Sequence, residues 1–116
     1  MLVKHIQDAK PYDAVNHRGN YGLRLQGFEP GGPTNQWVGL SHFLPGGGAG
    51  PDSTPFEKVY VVIEGEMTVI VDGKETVLKK LDSCTIVANE VREIINRSHE
   101  VCSMLVVIPY PPGHKP

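Results

Sequence analysis

The chain has 116 residues, a formal charge of −2 at neutral pH and a pI near 6.2. That is length for one ordinary domain with one core, and the near-balanced charge supplies no field to hold nucleic acid or an anionic membrane. No apolar run approaches the roughly 20 residues needed to cross a bilayer, and the N-terminal MLVKHIQDAKPYDA lacks an apolar signal core, so a cytoplasmic chain is expected.

Taken in chain order, only the first dozen residues and the stretch Ala9 to Val15 are candidates for a helical turn. Asn16-His17-Arg18-Gly19-Asn20 reads as a polar loop with no assigned chemistry. Tyr21 to Gln26 and Gln36 to Leu44 are candidate strands, separated by the surface turn Pro30-Gly31-Gly32-Pro33. Pro45 to Pro51, PGGGAGP, reads as a longer flexible loop placed to frame a pocket mouth. The clearest strand is Lys58 to Glu64, KVYVVIE, dense in β-branched and aromatic residues. Gly65 interrupts it, and Glu66 to Val71 resumes with Met67, Val69 and Val71 alternating against Thr68 and Ile70. Asp72-Gly73 is a strong hairpin signal, because a type I′ turn needs positive φ at both central positions. Glu75 to Leu78, Ser83 to Ala88, Val91 to Asn96 and Val101 to Ile108 follow at short spacing. The tail PYPPGHKP cannot pair as a central strand, since each proline lacks a donor; it is expected along the surface, with His114 and Lys115 solvated. Cys84 and Cys102 each fall inside apolar strand-like runs and read as buried reduced thiols.

Short strands divided by Gly, Pro, Asp and Asn predict an antiparallel sandwich or barrel. The motif spacing sharpens that. After Gly46 come five residues, then Asp52-x-Thr54, three residues, Lys58, six residues and Gly65. Later, Leu81 is followed by five residues, Val87, one residue, Asn89, two residues, Arg92, three residues and Asn96. Together these resemble the two signature motifs of the cupin family. The resemblance implies an all-β double-stranded β-helix, a jelly-roll cupin-like barrel, in which residues 1–116 form a single domain with a motif core at 46–96 and a Pro-rich tail at 109–116. The family pattern places His, His and Glu where this chain has Asp52, Thr54 and Lys58, and a third His where it has Arg92. The second motif's Gly, Pro and Gly have become Leu81, Val87 and Asn89.

Those replacements argue against the family's usual metal. A ligand must offer a lone pair; Arg92 has none, protonated Lys58 has none, and Thr54 is a poor partner for a transition metal. The five histidines show no paired spacing, which leaves only a non-family site on His42 and Asp52. No metal and no cofactor is therefore expected. In the family geometry Asp52, Thr54, Lys58 and Arg92 share one cavity, and strand alternation adds Tyr60 and Asn96. Lys58 and Asp52 are the candidate catalytic groups. Arg92, Thr54, Tyr60, Asn96 and His42 are the candidate substrate-binding groups. Buried cations need counter-charges, and the planar fork of Arg92 suits a carboxylate or phosphate, so a small anionic ligand is expected. Burial beside a second cation should lower the pKa of Lys58 and ready it for proton transfer or a Schiff base. The bland counterpart is an internal ion-pair network of Lys58, Asp52 and Arg92 that only pins the barrel. Arg18 and Arg24 read as surface residues, and Trp37 and Phe43 as core or subunit-interface residues.

Three functional readings follow: a metal-independent lyase or isomerase acting on a small carboxylated or carbonyl metabolite, a non-catalytic binding or sensor module, and a metal-dependent cupin enzyme with atypical ligands. The resemblance also implies a homodimer. No nucleic-acid or membrane partner is expected.

Overall fold

The computed structural model describes residues 1–114. Among these, nine strands follow a 3-10 turn at Ile6–Asp8: β1 (Lys10–Tyr12), β2 (His17–Gln26), β3 (Gln36–Asp52), β4 (Lys58–Glu64), β5 (Met67–Val71), β6 (Lys74–Leu78), β7 (Ser83–Ile86), β8 (Arg92–Ile95) and β9 (Cys102–Pro109). All pairings are antiparallel, and the strands run in the order β6-β5-β8-β3-β9-β4-β7, with β2 added beside β3 and β1 beside β2. The sheet curls into a nearly closed jelly-roll barrel. No helix among the described residues is long and apolar enough to cross a membrane.

The barrel is organised by β3, whose 17 residues serve two neighbours in turn. Its first half, Gln36 to Phe43, pairs with β9; its second half, from Gly48 to Asp52, pairs with β8. The segment PGGGAGP therefore is not a flexible loop but the bent middle of the longest strand. The reason is steric. A Cβ on Gly48 would lie 2.0 Å from the carbonyl oxygen of Ile94, and one on Gly47 would lie 2.4 Å from that of Gly19. The glycines let three backbones close together at the bend.

Two further expectations are corrected. Ala9 to Val15 holds the short strand β1, not a helical turn, because Lys10 to Tyr12 pair with Gly22 to Arg24. The polar stretch at Asn16–Asn20 contributes to β2, with His17 opposite Ala49. The Asp72-Gly73 hairpin forms as its residues dictate, with φ of 51° and 73° and Val71 paired to Lys74.

Inward alternation builds the core from Phe43, Val62, Met67, Val69, Leu78, Ile86, Ile94, Cys102 and Met104, and three of these, Phe43, Ile94 and Met104, also line a cavity. Burial raises the Cys102 thiol to about 11, and both cysteines are free, as their apolar runs imply. Asn96 is fully buried and spans the gap between β8 and β3: its amide nitrogen donates to the carbonyls of Phe43 and Glu100, while its amide oxygen accepts from Ser98.

Candidate functional site

Beside this core the barrel encloses the cavity, of about 540 Å³. Pairing register decides which residues face it. His17, Ala49, Ile94 and Val69 form one cross-strand row through β2, β3, β8 and β5, and a second row runs Arg24, Gly39, Val106, Tyr60 through β2, β3, β9 and β4. Residues opposite one another on paired strands share a face, so both rows point inward.

Lys58, Tyr60 and Arg92 form the polar inner end of the cavity. Lys58 is 4% exposed and Arg92 6%. Arg92 donates its Nε–H to the Tyr60 hydroxyl at 2.7 Å and an Nη1–H to the carbonyl of Gly50 at 3.0 Å. Neither cation has a carboxylate partner: the ion pairs among the described residues are Lys4–Glu29, Lys80–Glu64 and Arg97–Glu75. Asp52 stands at the rim, exposed, with its carboxylate accepting the Ser53 N–H at 2.8 Å. The ion-pair pin that would make these charges purely structural is absent from the described residues. Burial, then the charge of Arg92, lowers the Lys58 pKa to about 8, with Asp52 opposing. Burial raises the Tyr60 pKa despite Arg92, so it stays a phenol.

Thr54 also lines the cavity, but its hydroxyl donates to the carbonyl of Phe56 at 2.9 Å. His42 and Asn96 do not reach the cavity. On β3, Phe43 faces inward, so alternation turns His42 out, where its Nδ1 meets the Ser103 hydroxyl at 2.7 Å. Asn96 is consumed by the backbone ties described above.

Sequence reasoning missed several lining residues. His17 was hidden in a polar stretch; only its pairing with Ala49 turns it inward. Its Nδ1 lies 2.7 Å from the Val15 carbonyl, which can only accept, so Nδ1 carries the proton and Nε2 keeps its lone pair. Burial lowers the His17 pKa; the Val15 bond raises it, the charges of Arg92 and Lys58 lower it, and Asp52 raises it least. Arg24 is not a surface residue: its guanidinium carbon lies 4.0 Å from the Phe28 ring centre and 5.3 Å from that of Tyr12, and it lines the cavity. Trp37 also lines the cavity and packs edge-on against Tyr12 and Phe28. His114 is exposed, as expected of the tail, and its ring also packs against Phe28 at 4.4 Å and Tyr110 at 5.7 Å. Lys115 lies outside the described residues. Asp13 joins Asp52 as the second carboxylate of the lining.

The donor set does not fit a transition metal. The four motif positions offer one exposed carboxylate, one hydroxyl already donating, and two cations. Among the described residues no three of His, Cys, Asp and Glu converge as a metal-binding group.

The fold and motif positions define a cupin barrel, and the chain belongs to the cupin family: the Cupin domain profile matches residues 39–108. The chain is 43% identical over 111 residues, 96% of both proteins, to beta-D-galactosidase Rv1717 of Mycobacterium tuberculosis. Its fold matches that of the polyketide cyclase RemF from Streptomyces resistomycificus with a TM-score of 0.85, at 20% identity, over 99% of this chain and 84% of that one. It also matches an RmlC-like cupin from Shewanella frigidimarina with a TM-score of 0.76, at 17% identity, over 96% and 92% of the two chains.

Proposed function

We propose that the chain is a metal-independent enzyme that cleaves a small glycoside, with a β-D-galactoside as the substrate class. The observation that carries the reading is the pair Lys58 and Arg92, two buried cations without a carboxylate partner at the inner end of a cavity, beside His17. Such a pair favours a substrate whose oxygen gains negative charge as a bond breaks. The substrate class rests on the mycobacterial relative, whose name states that activity and whose length this chain matches.

Glycoside cleavage needs a proton on the departing oxygen and a base for the attacking water. Lys58, with a pKa of about 8, is charged at neutral pH yet more acidic than an ordinary ammonium. It gives its proton to the glycosidic oxygen as the bond from the anomeric carbon to that oxygen breaks. Water adds to the anomeric carbon, and His17 Nε2 takes the water's proton. Asp52 places negative charge beside the cation-like transition state. Arg92, aligned by Tyr60 and Gly50, holds an oxygen of the substrate. Thr54 contributes its remaining lone pairs to substrate hydroxyls.

Release of 4-nitrophenol from 4-nitrophenyl β-D-galactoside by chelator-treated protein tests this. Turnover survives chelation, exceeds that of the α-anomer, and falls about 10²- to 10⁴-fold in Lys58→Met, the range for a lost general acid. No turnover, or turnover restored only by added metal, sinks the reading.

A second reading, a lyase or isomerase acting on a small carboxylated or carbonyl metabolite, is favoured by the lowered pKa of Lys58, which frees its amine for a carbonyl carbon. Borohydride trapping with small keto acids would then label Lys58. Saturable binding of either ligand class without turnover would instead identify a binding module.

A further inference from the structure

The cavity has an outer end that the chemistry of Lys58 and Arg92 does not use. Its walls include Tyr12, Phe28, Trp37 and Ile108, and its one cation is Arg24. The Arg24 Nε is buried with no hydrogen-bond partner. None of the ion pairs among the described residues involves Arg24. Buried donors are almost always satisfied, so an orphan on a fork-shaped cation signals a partner that arrives from outside. Stacking on Phe28 and Tyr12 holds the guanidinium plane but leaves its edge free.

Register gives the scale. Arg24 and Tyr60 stand in one cross-strand row with Gly39 and Val106 between them. Three strand spacings separate their backbones, about 14 Å along the sheet. Gly39 lets the aromatic walls close over the sheet between them: a Cβ there would lie 2.9 Å from the Trp37 ring and 2.9 Å from the Tyr12 hydroxyl. The outer end is therefore a slot walled by aromatic rings, with the Arg24 guanidinium in its lining, and it belongs to the same cavity as the Lys58–Arg92 pair.

We propose that this outer half is a binding subsite for a planar aryl group bearing a carboxylate or similar oxyanion, the anion on Arg24 and the ring against Trp37 and Phe28. The inference rests on the glycoside reading for one point only, that the aryl group is the part of the substrate leaving with the departing oxygen. An aryl anion satisfies the orphan Nε and fills the apolar slot together, which a simple phosphate or an aliphatic chain does not.

Trp37 is the chain's one tryptophan and reports on the slot directly. Its fluorescence is titrated with 4-hydroxybenzoate and with 4-hydroxybenzamide, a neutral analogue of the same shape. The expected result is a saturable change with the benzoate and binding at least tenfold weaker with the benzamide. Arg24→Gln should weaken benzoate binding about ten- to hundredfold, the range of a lost hydrogen bond to a charged group, and Arg24→Lys should weaken it less. A thermal melt of each variant reports its folding, and the comparison of the two ligands on the unaltered protein needs no variant. Equal binding of benzoate and benzamide, no saturable change in the unaltered protein, or a folded Arg24→Gln that binds benzoate as before would each overturn the subsite. Benzoate binding that depends on Arg24, in a protein that cleaves no galactoside, would leave the subsite standing and remove only the glycoside reading.

Discussion

In the proposed reaction Lys58 gives the proton, and its burial has a cost that stability measurements can read. Its folded pKa of about 8 lies below the ordinary 10.5, so between those values the unfolded chain binds more protons than the folded one. Its contribution is therefore unfavourable below pH 8 and is relieved as pH rises from 8 to 10.5. Lys58→Met should be more stable than the parent at pH 7 by on the order of 2 kcal/mol, less than the full shift because the ammonium faces a cavity. That difference should shrink toward pH 10.5 in denaturant titrations, and a constant difference would contradict the assignment. Hydrolysis should fall above pH 8 as Lys58 loses its proton, and should fall at low pH as His17 gains one, below the ordinary imidazole range. Tyr60→Phe should cost about 1–3 kcal/mol in stability, because it leaves the buried Arg92 Nε–H without an acceptor. Lys58 and Arg92 were legible because they stand at the ligand positions of motifs that resemble the cupin family's, which implies a shared cavity. His17 and Arg24 were not, because their orientation is set by β3, a strand distant in sequence.

At the scale of the element, two turns show backbone conformation outlasting the residue that suits it. Leu81 and Asn89 stand where the motif has glycine, and both hold positive φ, 69° and 66°. Asn tolerates that region; leucine does not, and the left-handed conformation costs it roughly 1–2 kcal/mol. Leu81 is 71% exposed, so little burial offsets the strain, and its N–H is held by the Val62 carbonyl at 2.7 Å. Leu81→Gly should therefore stabilise the protein by about 0.5–1 kcal/mol, after allowing for the extra freedom of glycine when unfolded. An unchanged or lowered denaturant midpoint would contradict this. Gly48→Ala should act oppositely and strongly, since its Cβ meets the Ile94 carbonyl where β3 crosses to β8. A loss of several kcal/mol or failure to fold is expected. The same glycines explain why the segment was misread: a run of Gly and Pro signals a loop locally, and only the close approach of β2 and β8 makes it strand.

For the whole molecule, the curled sheet separates duties. Apolar side chains pack the core and Asn96 ties its strands, while the cavity beside that core holds the charged candidates Lys58, Arg92 and Arg24. The N-terminal segment leaves Met1, Val3 and Ile6 exposed, and Tyr21 is exposed on β2. A homodimer through this edge is the assembly we expect, with light scattering in solution giving twice the 12.7 kDa chain mass. Charged substitution at Val3 and Tyr21 should return the monomer, and a concentration-independent monomer of the unaltered protein would count against the interface.

The amino-acid sequence by itself determined the class of architecture, the Asp72-Gly73 hairpin and the placing of both cysteines in apolar strands. Each follows from local periodicity or turn chemistry. Tertiary structure alone decided which charges stay unpaired, that His42 faces away, and that His17 and Arg24 complete the two ends of one cavity. These depend on register between strands far apart in the chain, and a shift of one residue in that register reverses the face on which a side chain lies.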